Sequence, residues 1–246
     1  MKGLSWRILL GFSLISLSVV LYLIHYAIFR DARHIILYLI GDLAFVPIQV
    51  LFVTLIIDQW LSRREKQAMM NKLNMVIGAF FSEVGTGLLK FFAQFDPHSD
   101  QIGKELIFTS AWPGKIFLSV RQSLKNYDFP VEVQRGDLED LRRFLVGKRD
   151  FLLALLENPN LLEHESFTEL LWAVFHLSEE LAIRVDVKNL PEKDCAHLAG
   201  DMKRAYSALI SEWLAYMKHL QEAYPYLFSL AMRTNPFDPQ ASPVVQ

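Results

Sequence analysis

Residues 8–29, ILLGFSLISLSVVLYLIHYAIF, and residues 35–57, IILYLIGDLAFVPIQVLFVTLII, are separated only by Arg30-Asp31-Ala32-Arg33-His34. As α-helix, each run measures about 33 Å, against a bilayer hydrocarbon core of about 30 Å. The pair therefore reads as a transmembrane hairpin with almost no loop. A cleaved signal peptide fits the first run poorly. Its apolar stretch exceeds the usual h-region, and bulky Tyr22, His25, Tyr26 and Phe29 stand where a small-residue cleavage site would be.

Orientation follows from the basic residues near the ends of the runs. Lys2 and Arg7 flank the first, and Arg63, Arg64, Lys66 and Lys72 follow the second, while the connecting loop carries Arg30 and Arg33. The larger cluster places both termini in the cytoplasm and the loop outside. Trp6 and Trp60 suit an aromatic belt at the inner interface, and Tyr22, Tyr26 and Tyr38 suit one nearer the outer. On this reading the chain is a multi-pass membrane protein, with residues 1–60 as its hairpin.

Both runs carry a polar stripe. Ser18, Tyr22 and His25 recur at helical spacing on the first, and Tyr38, Asp42 and Gln49 on the second. In an antiparallel hairpin His25 and Asp42 fall in the same leaflet. A carboxylate at mid-membrane costs about 2.5–3.5 kcal/mol on insertion scales, so Asp42 needs a proton or a partner. Pro47 frees the carbonyl of Leu43 one turn earlier. Two readings follow. Asp42 bonds His25 or Tyr22 and locks the hairpin, or an oligomer uses Asp42, with His25 or Gln49, as a proton or ion site.

Beyond Asp58 the chain turns charged, yet apolar helical periodicity continues through Leu73, Ile77, Phe80, Phe81, Val84, Leu88, Phe91, Phe92 and Phe95. Asn74, Ser82, Glu83 and Lys90 line the opposite face. A helix continuous with the second run, or broken near Gly85-Thr86-Gly87, is expected. It reads as a core helix, an interfacial helix or a third span. Phe80, Phe81, Phe91 and Phe92 are its candidate interaction face, for self-association or a partner helix.

Further helices are expected from a cap near Ser110 to about Asn126, from Asp137 to about Glu157, from a Ser166/Glu169 capping box to about Arg184, and from Pro191 to Arg233 with a break at Pro225. The fold class is therefore all-α: the hairpin, a helical cytoplasmic domain over residues 61–235, and a loose tail over 236–246.

Chemistry is sparse. A net charge of −2 carries no nucleic-acid footprint. The cluster Arg63, Arg64, Lys66 fixes topology or attracts anionic lipid at about 1 kcal/mol per charge. Cys195 is the single cysteine, and His197 two residues on faces elsewhere on a helix. Of His164, His176, His197 and His219, only His197 has an acid three residues before it, Asp194, and that half-motif has no twin for a di-metal bundle. Phosphate-loop, dinucleotide, zinc-protease and nucleophile-elbow signatures are missing. No catalytic residue, metal or cofactor is expected. The expected partners are the bilayer, a second copy of the chain or another protein.

The segments Leu61-Ser62-Arg63-Arg64-Glu65-Lys66, Leu73-Asn74-Met75-Val76-Ile77-Gly78-Ala79-Phe80-Phe81-Ser82-Glu83-Val84-Gly85 and Tyr224-Pro225-Tyr226-Leu227-Phe228-Ser229-Leu230 resemble a group of bacterial inner-membrane proteins with no assigned activity. The resemblance spans nearly the whole chain and implies a membrane location, without a reaction.

Overall fold

The computed structural model describes residues 2–108, 112–125 and 127–244. The cap expected at Ser110 and the helix end near Asn126 lie outside the described residues, as do the side chains of Lys2 and Arg7. The regular elements among the described residues are all helices, and the chain forms two compact units, Met1–Lys66 and Gln67–Gln246.

In the first unit, α1 spans Lys2–Phe29, and α2, Ala32–Phe80, begins only two residues later. Two caps make so short a connection possible. Arg30 takes a left-handed conformation, φ 49°, and its N–H closes α1 on the Tyr26 carbonyl at 2.8 Å. Asp31 then caps α2, its Oδ1 accepting from the N–H groups of Arg33 and His34 at 3.0 and 3.2 Å. Both helices are long and apolar enough to cross a membrane, with mean hydropathy 2.2 over their most apolar stretches, of which nothing is buried. The two helices thus form no core of their own.

The second unit holds the core. The third apolar stretch, Lys72–Phe95, also passes by length and composition as a span, but 44% of its most apolar part is buried within the protein. Helix α2 ends at Phe80, a π-helical turn covers Phe81–Gly85, and α3 follows over Thr86–Phe95. Phe80 packs edge-to-face on Phe167 with centroids 5.3 Å apart, and Phe92 and Phe129 both pack on Tyr206. Such aromatic pairs add about 0.5–1.5 kcal/mol each beyond the area they bury. The core-helix reading of this segment is the one the fold adopts.

Around it stand α4 (Ser99–Leu106), α5 (Gly114–Lys125), α6 (Leu138–Gly147), α7 (Arg149–Leu156), a 3₁₀ turn (Pro159–Glu163), α8 (Glu165–Ile183), α9 (Glu192–Ala223) and α10 (Pro225–Arg233). Asp137 caps α6 as expected, accepting from the N–H groups of Glu139 and Asp140. The single helix expected from there to Glu157 is two, because Lys148 (φ −106°, ψ 3°) leaves helical geometry just after Gly147. The Ser166 capping box does not form; His164 caps α8 instead, its Nδ1 accepting from the Phe167 N–H at 3.3 Å. Tyr224 ends α9 and Pro225 opens α10, the break that Pro225 announces. Helix α4 had no counterpart in the sequence reading, since its eight residues, though amphipathic, make too short a run between the turn signals on either side.

The tail is a correction. Asn235 is buried, donates to the Leu106 carbonyl at 2.7 Å and accepts from the Phe237 N–H. Phe237 packs on Trp213 at 5.4 Å. One aromatic anchor, in a segment without periodicity, ties the stretch after α10 to the core.

Candidate functional site

The polar stripes of the apolar helices converge. Ser18, Tyr22 and His25 of α1 and Tyr38 and Asp42 of α2 line one cavity of about 400 Å³, while Gln49 stands outside it. No hydrogen bond or ion pair joins His25 to Asp42 among the described residues, and the buried His25 Nδ1 has no partner. The two residues share a cavity without forming the direct lock that one reading expected. The Arg63, Arg64 and Lys66 side chains are exposed, with the Arg64 guanidinium 5.5 Å over the Trp60 ring.

The proposed interaction face is overturned. Phe80, Phe81 and Phe92 are fully buried, and Phe91 is half-buried against Phe144 with ring centroids 5.1 Å apart. Helices of the same chain consume the apolar stripe, so it offers no surface to a second copy.

A cavity of about 740 Å³ opens where the π-turn meets α9 and α10. Its walls include Phe81, Met217, Leu220 and Leu227, with Asn74, Thr86, Tyr216 and His219 supplying polar atoms. Asn74 Nδ2 lies 3.3 Å from His219 Nδ1. Burial pushes the His219 imidazole below its ordinary range and the Tyr216 phenol above its own.

A denser constellation lies where α8 meets α9. His176 and Glu180 stand one turn apart on α8, and His197 and Asp201 one turn apart on α9. Both Nε2 atoms are 3.4 Å from Asp201 Oδ2. Glu180 Oε1 is 3.9 Å from the first ring and Oε2 3.6 Å from the second. Two arginines brace the acids. Arg204 donates to Asp201 Oδ1 at 3.1 Å, and Arg184 reaches Glu180 Oε2 at 2.7 Å and both oxygens of Asp194 at 2.9 and 2.6 Å. Hydrogen bonds from Arg184 hold Glu180 and Asp194 below the usual carboxylate range. In the sequence, Glu180 one turn after His176 reads as an ordinary acid-rich helix face, and a search for an acid three residues before each histidine does not find the pair on α9. The signal of the constellation is an acid four residues after, in His176-x-x-x-Glu180 and His197-x-x-x-Asp201.

Fold and sites together define a two-part all-helical protein: a pair of long apolar N-terminal helices, then a helical domain with its own core. The chain belongs to the MJ1433 family. Residues 2–61 match its N-terminal helical domain, described as "MJ1433, N-terminal helical domain". Residues 69–233 match the domain described as "Uncharacterized protein MJ1433, C-terminal helical domain". The chain is 45% identical over 238 residues to "Uncharacterized protein MJ1433" of Methanocaldococcus jannaschii, covering 97% of this chain and 96% of that protein. That relative is archaeal, so the likeness is not confined to the bacterial group the sequence resembles. No solved structure matches the chain.

Proposed function

We propose that the chain is an integral protein of the cytoplasmic membrane, anchored by α1 and the first part of α2, with a helical domain that serves interaction or regulation and runs no reaction of its own. The observation that carries the anchor is that no residue is buried in the most apolar stretches of either helix. Large side chains such as Leu9 (68%), Phe12 (67%) and Leu43 (67%) have no protein to cover them. In water such a surface would aggregate; in hydrocarbon it is at home. The exposed cluster Arg63, Arg64 and Lys66 supports cytoplasmic termini. With the phenylalanine face consumed internally, contacts with a second copy or a partner fall to the apolar helices and the exposed faces of the domain.

Alkaline extraction of membranes tests the anchor, and release of the chain into the soluble fraction would overturn it. Single cysteines placed at residue 32 and in the tail, on a Cys195→Ser background, test orientation: only the former should react with an impermeant maleimide from outside. Native mass in mild detergent tests the role, and a strict monomer that copurifies with nothing would sink it.

A second reading, an oligomeric channel or transporter subunit, draws on the cavity that Asp42 shares with His25 and Tyr22. Two helices cannot enclose an aqueous path alone, so it requires several copies. Reconstituted flux that Asp42→Asn leaves unchanged would remove Asp42 from that role.

A further inference from the structure

We propose that His176, His197 and Asp201 form a binding site for a divalent transition-metal ion of the zinc class, with Glu180 beside it. This goes beyond the anchoring and interaction role and stands independently of it.

The geometry carries the case. Two imidazole nitrogens and one carboxylate oxygen form a group whose ligand atoms all lie within 4.8 Å of one another. The two nitrogen–oxygen separations are both 3.4 Å. Zinc–ligand bonds of about 2.0–2.1 Å in a tetrahedron put neighbouring ligand atoms about 3.3–3.4 Å apart, so both histidine–aspartate separations already match a shared ion, and a shift of the half-exposed rings can bring the two nitrogens to the same spacing.

Asp201 supplies a separate argument. It is 4% exposed, and its Oδ2 accepts no hydrogen bond even though both rings are close. A buried carboxylate oxygen facing two ring nitrogens, with no N–H directed at it, lacks the partner that buried anionic oxygens require. A cation at the point where the three atoms converge supplies it.

The surroundings fit a built site. Arg204 on Asp201 Oδ1 and Arg184 on Glu180 and Asp194 fix the carboxylates from behind, as outer hydrogen bonds do for metal ligands. Two imidazoles select zinc or a neighbouring transition ion over magnesium or calcium, which take oxygen cages. The exposed edges of both histidines leave one side of the ion open to water, so the site could hold a water or an anionic ligand in its free position. The ion would also pin α8 to α9 directly.

The test uses the full chain, purified in detergent without a histidine tag, stripped with chelator and titrated with Zn²⁺ against a chromophoric chelator. One equivalent per chain, not displaced by millimolar Mg²⁺, is expected, with Co²⁺ giving the intense visible bands of tetrahedral coordination. His176→Gln and His197→Gln should each weaken binding tenfold or more, while His219→Gln should leave it unchanged. Both rings are half-exposed, so these variants should fold, and circular dichroism checks that they do. Binding of less than half an equivalent, or undiminished binding in the His176→Gln/His197→Gln double variant, would overturn the proposal.

Discussion

Phe81 lies flat on Tyr216, with ring centroids 5.0 Å apart and planes within 10°. The stack joins the π-turn to α9 at the rim of the 740 Å³ cavity, and Gly85 leaves room for it. A Cβ on Gly85 would sit 2.5 Å from Phe81 Cδ1. Gly85→Ala is therefore expected to push the ring off Tyr216 and destabilise the domain by about 1–3 kcal/mol. Thermal denaturation of the full chain in detergent reads the shift; an unchanged midpoint would mean the turn relaxes without the stack.

Gly200 offers the opposite case. It lies inside α9 with nothing within 4 Å of an added Cβ. Gly200→Ala should stabilise by about 0.5–1 kcal/mol, because alanine loses less backbone freedom in a helix. A lowered midpoint would show that α9 is contacted there.

The phenylalanine face decides between core and surface. Phe80→Ala should cost about 3–5 kcal/mol, as for a large ring removed from a packed interior. The oligomeric mass of the protein that still folds should not change. A loss of stability below about 1 kcal/mol together with a smaller assembly would restore the interaction-face reading.

Arg184 governs the acid limb of the stability profile. It keeps Glu180 and Asp194 ionised to lower pH in the folded chain than in the unfolded one. Their contribution is present in full above the unfolded carboxylate range, about 4, and disappears as the pH falls through the depressed folded values. Arg184→Met should lower the melting temperature at pH 6 and flatten its fall between pH 5 and 3, about where carboxylates titrate. Parallel acid limbs in the two proteins would count against the clamp.

Asp96 titrates the other way. Burial raises its carboxyl above the ordinary range, although Oδ1 accepts from the His98 N–H at 2.7 Å. The folded state then keeps a proton that the unfolded state has released, so stability falls as the pH rises from about 4 through the folded value. Asp96→Asn keeps the acceptor and cannot ionise. Its advantage over the parent should grow between pH 4 and pH 8, about the span above the model carboxylate value. Denaturation curves at both ends measure it, and an equal difference at the two pH values would refute it.

What the linear chain determined by itself is what depends on one helix at a time. Length and hydropathy of residues 8–29 and 35–57 specify two long apolar helices. The Asp137 cap and the Pro225 break follow from hydrogen bonds and ring geometry within a few residues. Even the convergence of His25 and Asp42 was legible, because so short a connection leaves an antiparallel pair little freedom in register. The tertiary structure decided the rest, where residues distant in sequence meet. The phenylalanine stripe looks the same from inside its helix whether a partner or the chain's own α8 and α9 cover it. Phe237 found Trp213 without any periodic signal. The two histidine–acid pairs lie on separate helices, and only the packing of α8 on α9 turns two ordinary one-turn spacings into three ligand atoms facing a single point.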